Sequence, residues 1–269
     1  MTENTIFPGV AVITGAAGTG IGASIARAFA DANCQRIAIT DINSSLLKIT
    51  KEEIEKKHPS VTVYMRVGDI TSEEFVDSFI ESTVAEFGRI DYCVNCAGVL
   101  GACDKSTDTS MSEFDRVNGV NYRGCWLSSR AELRAMLKQE PLPSHDCERP
   151  SQRGSIVNIA SILGLIGMPC SPIYCASKAA VVSMTRADAI DYSEYNIRVN
   201  CICPGLTETP MIKNDKGFLE WVESVVEATS MKRLGKASEI ADCAVFLSST
   251  KASFVQGQAM VVDGGYFIR

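Results

Sequence analysis

Histidine is nearly missing from the chain, with two residues in 269. His58 and His145 lie far apart in polar, loop-like surroundings, so an imidazole zinc site or a Ser-His-Asp triad would depend on one of them. Both read as solvated surface residues, and no metal site is expected. Basic charge is not in excess either: 26 Lys and Arg face 32 Asp and Glu, a net charge of −6. Affinity for a phosphate backbone comes mainly from clustered Lys and Arg, so a nucleic-acid partner is set aside. Segment 154–177 carries no charge and has the length of a membrane span, but Asn158, Pro169, Pro172, Gly164, Gly167 and several serines interrupt it. That pattern is a strand followed by a loop, and no membrane partner is expected. Residues 1–8 lack the basic and apolar regions of a secretory signal, which makes the cytoplasm the expected location.

Cysteine is plentiful, with 11 residues, an odd number scattered through apolar segments. Without a secretory leader they read as reduced, buried, small hydrophobes. Cys93 and Cys96 spell C-x-x-C, yet they follow an apolar run and no second pair stands at zinc-finger spacing. They read as core cysteines on a strand.

Hydrophobic residues make up 46% of the chain, ample for a core, and the length suits one α/β domain over 1–269. Seven short β-branched runs, 10–14, 36–40, 61–66, 90–95, 155–160, 198–202 and 259–262, read as strands. They lack polar alternation, which predicts a parallel sheet buried on both faces. Segments 22–32, 44–57, 72–87, 111–138, 174–192 and 238–248 read as helices. The alternation is that of a doubly wound, Rossmann-type α/β fold, with its ligand crevice at the carboxyl ends of the strands. Two stretches break the rhythm. Residues 139–153, rich in proline and charge, read as a surface insertion, and 205–233 as a long excursion that forms a substrate lid.

Between the first strand and first helix runs Thr14-Gly15-Ala16-Ala17-Gly18-Thr19-Gly20-Ile21-Gly22. Glycines are required where the backbone turns sharply and approaches a pyrophosphate held by helix N-terminal N–H groups. Asp41 ends the second strand 19 positions beyond Gly22, near the spacing at which an acid grips the adenosine ribose hydroxyls. A carboxylate there repels a 2′-phosphate, and no Lys or Arg in the loop or directly after Asp41 offers a cation. NAD(H) is therefore favoured, with NADP(H) left open. A helix-cap role for Asp41 competes, although Asn43 or Ser44 would serve as well. Asp69-Ile70 closes the third strand, where the acid could accept from an adenine amino group. Asn95-Cys96-Ala97-Gly98 closes the fourth, where small residues leave room for a cofactor.

Tyr174 and Lys178 stand at i and i+4, so phenol and ammonium share one helix face. A neighbouring cation favours phenolate, which lets the hydroxyl exchange a proton with a carbinol or carbonyl oxygen near neutral pH. Thirteen residues upstream, Ser161 follows a strand at its carboxyl end, where a hydroxyl can donate to a substrate oxygen. Asn121 sits mid-helix, a poor position for asparagine, and is expected to hold a water or to kink the helix.

With these motifs the chain resembles the short-chain dehydrogenase/reductase family over nearly its whole length. The resemblance is carried by the glycine loop, Asp69-Ile70, Asn95-Cys96-Ala97-Gly98, Asn121, Ser161, Tyr174/Lys178, Asn200, Pro204-Gly205 and Val262-Asp263-Gly264-Gly265. It implies Tyr174 as general acid/base, Lys178 as its electrostatic partner and ligand of the nicotinamide ribose, Ser161 as orienter of the substrate oxygen, and Asn121 as anchor of a relay water. It also implies cofactor contacts from Gly15, Thr19, Gly20, Ile21 and Gly22, from Asp41 and Ile42, from Asp69 and Ile70, and from Asn95, Ala97 and Gly98. Tyr174, Lys178, Pro204, Gly205, Thr207 and Thr209 would complete the set around the nicotinamide. Two departures stand out: the glycine loop is one residue longer than T-G-x-x-x-G-x-G, and Cys96 replaces the second Asn of N-N-A-G.

The activity implied is hydride transfer between NAD(P) and a secondary alcohol or ketone. Ile162, Leu163, Leu165, Gly167, Met168 and Cys170, with Met211, Ile212, Phe218 and Trp221 from the lid, are the expected pocket wall. Ser161, Leu163, Met168, Tyr174 and Met211 lie nearest the substrate. That wall offers no cationic clamp, so an uncharged, fairly hydrophobic small molecule is expected. Small residues on the Tyr174 helix, and the family's habit of pairing through it, imply a homotetramer. A non-redox member of the same fold (dehydratase, epimerase or cyclase) and a non-catalytic nucleotide sensor are the alternatives.

Overall fold

Each apolar run is a strand, and each amphipathic segment but one is a single helix, in the computed structural model of the chain. It describes residues 6–213 and 218–268, with side chains except at 212, 213 and 218–220. In chain order the elements are β1 Val10–Thr14, α1 Ile21–Asp31, β2 Arg36–Asp41, α2 Ser44–Lys57, β3 Thr62–Val67, α3 Glu73–Phe87, β4 Tyr92–Asn95, α4 Met111–Asn118 and α5 Cys125–Met136. Then follow β5 Gly154–Ile159, α6 Pro172–Tyr192, β6 Ile197–Pro204, β7 Thr207–Glu208, α7 Pro210–Lys213, α8 Phe218–Ala228, β8 Gly235–Lys236, α9 Ala237–Ser248 and β9 Ala259–Val262.

Seven strands form one parallel sheet in the order β3-β2-β1-β4-β5-β6-β9. The strands β1, β4, β5 and β6 are buried along their whole length, as their unbroken apolar runs require. Side chains alternate between two cores. Ile13, Val94 and Val157 pack with Ile25 and Phe29 of α1 and with Ile240 and Leu247 of α9. Val12, Cys93 and Ile156 pack on the other face with Phe79 of α3 and with Leu127 and Met136 of α5. The chain reverses its winding between β1 and β4, which opens a crevice at their carboxyl ends.

Helix starts follow local chemistry. Asn43, Ser72 and Ser110 cap α2, α3 and α4 by accepting from the N–H groups of Leu46, Phe75 and Glu113. Gly88 ends α3 in the left-handed region at φ +81°, where a Cβ would be strained.

The one helix expected over 111–138 is interrupted: α4 and α5 are joined by a π-helical turn, Gly119–Gly124. Tertiary contacts cause the break. The Asn121 amide bonds to both backbone groups of Val99, and a Cβ on Gly124 would lie 2.6 Å from Cδ1 of Ile70. Segment 205–233, the expected lid, contains β7, α7 and α8; its residues 214–217 lie outside the described residues.

Segment 139–153 does more than cover surface. Leu142 and Gln152 pair as an antiparallel bridge, and the Gln139 amide donates to Ile90 O and Arg153 O. Gln152 accepts from buried Arg198, whose guanidinium also donates to Ser249 O at 3.0 Å. The segment thereby closes the amino ends of β4, β5 and β6, away from the crevice. His145 is held there by Thr250, and His58 lies 2.6 Å from Asp31, so neither is simply solvated. Nor are all the cysteines core residues: Cys103 and Cys147 are exposed, whereas Cys34, Cys93, Cys125, Cys201 and Cys203 are buried.

The ring of Phe29 meets Phe7 edge-on at 5.3 Å and stacks with Tyr92 at 6.1 Å, tying α1 and β4 together. Phe29→Ala is expected to cost about 3–5 kcal/mol, read as a lower urea midpoint at unchanged slope.

Candidate active site

The crevice begins with backbone packed on backbone. A Cβ on Gly15, at φ +68°, would lie 2.7 Å from both Cα and N of Ala97, and one on Gly22 would lie 2.3 Å from Gly15 O. Both positions therefore require glycine. Around Gly20 no atom falls within 4 Å of the Cβ position, so this glycine faces open space at the start of α1. No side chain caps α1, so the start of this helix is left without a capping group at the crevice, as at an anion site. The cradle fits a dinucleotide pyrophosphate.

The extra loop residue is taken up by an arch over α2. Gly18, at φ +74°, donates its N–H to Leu46 O at 3.3 Å and to Thr50 Oγ1 at 3.1 Å, and its carbonyl accepts from Arg27 at 2.8 Å. Thr19 is exposed at the apex, and Ile21 is half-buried as α1 begins. The Asp41 carboxylate accepts from Ala17 N–H at 3.1 Å and from Asn43 N–H at 2.9 Å. Helix capping falls to Asn43, so Asp41 is turned to the loop. Ile42 beside it is 72% exposed.

The next strand ends complete the floor. Asp69 is exposed, with one oxygen held by Thr71 N–H at 2.8 Å, and the Ile70 side chain is buried in the core. Thr14 Oγ1 accepts from Cys96 N–H at 3.1 Å and Ala97 N–H at 3.2 Å, fastening the end of β4 to β1. Burial pushes the Cys96 thiol up to about 12, so it stays protonated and acts as a small filler. Asn95 is buried beneath. Pro204 ends β6; a Cβ on Gly205 would lie 2.7 Å from Asp263 Cα; Thr207 donates to Gly205 O at 3.0 Å; Thr207 and Thr209 are both buried.

Tyr174 stands in the first turn of α6, which Pro172 opens with its preset φ. One turn later Lys178 is 5% exposed, with Nζ 5.9 Å from the Tyr174 ring centroid and donating to Ile159 O at 2.9 Å. A three-donor ammonium has capacity beyond that one bond. A Cβ on Gly98 would lie 3.3 Å from Asn121 Oδ1 and 3.4 Å from Lys178 Nζ, so these three residues meet at one point. The Asn121 amide donates to Ser177 Oγ at 3.2 Å, and that hydroxyl donates to Tyr174 O at 2.8 Å. Ser161 follows β5; its Oγ accepts from Leu163 N–H at 3.1 Å and keeps its proton to donate elsewhere.

Of the expected pocket wall, Ile162 is buried in the core with Val181 and Val182 and so does not line it, while Leu163 and Leu165 pack on that core partly buried. Met168, Cys170 and Trp221 are half-buried, and Gly167 and Met211 exposed. The side chains of Ile212 and Phe218 lie outside the described residues. Sequence reasoning missed a shallow cleft beside Tyr174, lined by Ala102, Asp104, Glu113, Val117 and Ile173 among others. Bonds from Arg116 and from Ala102 N–H hold the Glu113 carboxyl down at about 2. The Ser110-to-Glu113 spacing and the i,i+3 pair with Arg116 were the available signals for that element.

The family model described as "Enoyl-(Acyl carrier protein) reductase" matches residues 15–267. The short-chain dehydrogenase fogB of Aspergillus ruber is 38% identical over 96% of both chains. The chain belongs to the short-chain dehydrogenase/reductase family. The 2-(R)-hydroxypropyl-CoM dehydrogenase of Xanthobacter autotrophicus is 35% identical over 96% of this chain and 98% of that one. The crystal structure of levodione reductase superposes with a TM-score of 0.88 at 31% identity, covering 97% of this chain and 98% of that one. This short-chain dehydrogenase/reductase is an oxidoreductase of CH–OH groups, and the family uses a nicotinamide dinucleotide. No helix among the described residues is long and apolar enough to cross a membrane.

In this family member, Gly15→Ala puts a side chain into the left-handed region and against Ala97. The conformational term alone is roughly 1–2 kcal/mol, about tenfold in binding. Nucleotide Kd, measured by fluorescence titration on protein checked for folding by circular dichroism, is expected to rise by about that factor.

Proposed function

We propose that the chain is a single-domain, NAD(H)-dependent oxidoreductase that interconverts a secondary alcohol and a ketone on an uncharged, fairly hydrophobic metabolite. One observation carries this reading: the Lys178 ammonium, buried at 5% exposure, lies one helical turn from the Tyr174 phenol, at the meeting point of Gly98 and Asn121.

In this reading a bound nicotinamide dinucleotide supplies the hydride acceptor or donor. Tyr174 transfers a proton at the substrate oxygen, with the Lys178 ammonium beside it binding the ribose, and Ser161 donates a hydrogen bond to the same oxygen. The side-chain atoms of Asn121 are spent on Val99 and Ser177. Any water it anchors therefore falls to its backbone carbonyl, in a π-turn whose i→i+5 pattern loosens such groups. The remaining expected contacts hold the cofactor from the loop (Gly15, Thr19, Gly20, Ile21, Gly22), the strand ends (Asp41, Ile42, Asp69, Ile70, Asn95, Ala97, Gly98) and the final turn (Pro204, Gly205, Thr207, Thr209). NAD(H) over NADP(H) rests on Asp41, fixed by two backbone N–H groups where a 2′-phosphate would bring like charge.

The substrate assignment rests on Leu163, Met168, Met211 and the cleft by Tyr174, whose lining has two acids, Asp104 and Glu113, the latter paired with Arg116, and no cation. A preference for a small anionic 3-hydroxy acid over neutral ketones would overturn it. The segment 205–233 serves as the lid, and 139–153 as a brace remote from chemistry. The location is cytoplasmic, and the assembly a homotetramer: α6 exposes Ala176, Ala179, Ser183, Ala187 and Ile190 along one face, and α4–α5 expose Met111, Phe114, Tyr122 and Trp126. A monomer by light scattering would contradict the tetramer.

Tyr174→Phe is expected to lower kcat by about 10²–10⁴, followed as absorbance of reduced nicotinamide with a carbonyl panel, with nucleotide binding retained. Surviving activity would remove Tyr174 from the chemistry. Asp41→Ala is expected to lower the ratio of NAD to NADP efficiency; an unchanged ratio takes Asp41 out of cofactor choice.

A further inference from the structure

Glu132 lies in the middle of α5 with 0% exposure, a carboxyl group in the core next to the crevice. Its Oε2 accepts from Asn95 Nδ2 at 3.0 Å, and the same amide lies 3.0 Å from Asn158 Oδ1 and 3.2 Å from Ser129 Oγ. Asn158 in turn donates to Thr185 Oγ1 on α6 at 3.0 Å and accepts from Ser129 at 3.3 Å. One network thus joins α5, β4, β5 and α6.

Two oxygens in this network have no donor: Glu132 Oε1, the second oxygen of the paired carboxyl, and Asn95 Oδ1, the oxygen of the amide whose nitrogen is paired. Buried acceptors without donors are expensive. A proton on Glu132 supplies what is missing, since a neutral carboxyl donates as well as accepts, and the amide of Asn95 can take both bonds. The surroundings leave the charged form uncompensated. Among the described residues Glu132 makes no ion pair. Cys93 of β4 and Cys125 of its own helix are thiols that burial pushes up, and Lys178 and Asp188 of α6 act on Cys125 with opposite signs. Burial pushes the Glu132 carboxyl up to about 8, only partly offset by the bond from Asn95.

We propose that Glu132 is carried as the neutral acid and is a positioning residue, clamping the carboxyl ends of β4 and β5 from behind the active site so that its ionisation loosens them. Asn95 leads directly into Ala97 and Gly98, and Asn158 into Ile159, whose carbonyl holds Lys178, and then Ser161. Loss of the proton replaces a donor facing Asn95 Oδ1 with a second negative acceptor, and the disturbance is passed to both strand ends. The folded-state value is raised above the ordinary glutamate value of about 4.3, so the stabilisation is complete below that pH. It is lost as pH rises through about 8, beyond which nothing further is lost.

The effect on turnover rests on the Tyr174/Lys178 mechanism, whereas the effect on stability does not, so the test reads both in the full chain. Urea midpoints and kcat are measured from about pH 5 to 9 for the wild type, Glu132→Gln and Glu132→Leu. Glutamine is neutral, similar in shape, and keeps a donor and an acceptor for Asn95. With it, the fall in midpoint with pH is expected to flatten and the alkaline fall in kcat to move to higher pH. Leucine cannot pair, and is expected to lower kcat by about tenfold or more at every pH while glutamine restores it. The same midpoint slope in wild type and Glu132→Gln overturns the neutral acid. A flattened midpoint with an unmoved kcat profile, or leucine as active as glutamine, overturns the positioning role. If no carbonyl substrate turns over at all, the mechanism has failed, and the midpoint slope still decides the protonation state.

Discussion

A lysine ammonium with 5% exposure is the constraint around which the site is arranged. Taking such a charge out of water is unfavourable unless fixed dipoles replace its hydration. Here the Ile159 carbonyl does so at 2.9 Å from the end of β5, and the glycine at 98 allows the backbone after β4 to come close. The buried position therefore depends on β4 and β5 ending side by side and on α6 crossing them at one height. Gly164 belongs to the same requirement: a Cβ there would lie 2.7 Å from the Lys178 carbonyl carbon, so the turn after Ser161 packs directly on the helix that carries the lysine. Remote packing and the geometry of the Tyr174/Lys178 pair are one problem in this chain.

Strand register solves it. Thr40, Thr14, Asn95 and Asn158 are partners across four adjacent strands, a polar row at the carboxyl edge of an otherwise apolar sheet. All four are buried; the Thr40 hydroxyl has no hydrogen-bond partner, and the partners of the other three are what hold the crevice. Thr14 takes the N–H groups after β4, while Asn95 and Asn158 take each other, Ser129, Glu132 and Thr185. One residue earlier the row is Ile39, Ile13, Val94 and Val157, which is plain core. A shift of one residue would send every polar group to the wrong face, so the hydrophobic alternation that makes the sheet also fixes where its chemistry appears.

What could be read from the residues follows from the range of the interactions involved. The seven strands, the glycine loop and the Tyr174/Lys178 pair are local patterns, set by side-chain type and spacing within a turn or strand, and they were legible. The break between α4 and α5 was not, beyond the oddity of asparagine at 121. Its cause is a contact between Asn121 and Val99, 22 positions away in the chain, together with the close approach of Gly124 to Ile70. The bracing role of 139–153 was hidden for the same reason, since Arg198 and Ser249 complete it from distant segments. Glu132 had a signal: Cys125, Ser128 or Ser129, Glu132 and Met136 recur at helical spacing on the inward face of α5. A charged residue in an inward row is a question about its protonation state before it is an exception to the pattern.

The lengthened glycine loop shows how a local departure is absorbed. An extra residue in a turn that must touch both a helix start and a strand end can go only outward, and here it arches toward α2, where Leu46 and Thr50, with Arg27 of α1, take its backbone groups. The arch brings Ala17 N–H to the Asp41 carboxylate, which also accepts from Asn43 N–H, so the acid is held in place by the loop it faces. A carboxylate with two charge-assisted bonds to rigid backbone has little freedom left to lose, and bonds to backbone donors oppose its turning away from a like charge. Loop length and the acid at the end of β2 therefore act as one unit, and a change in either alters the electrostatic setting of the other.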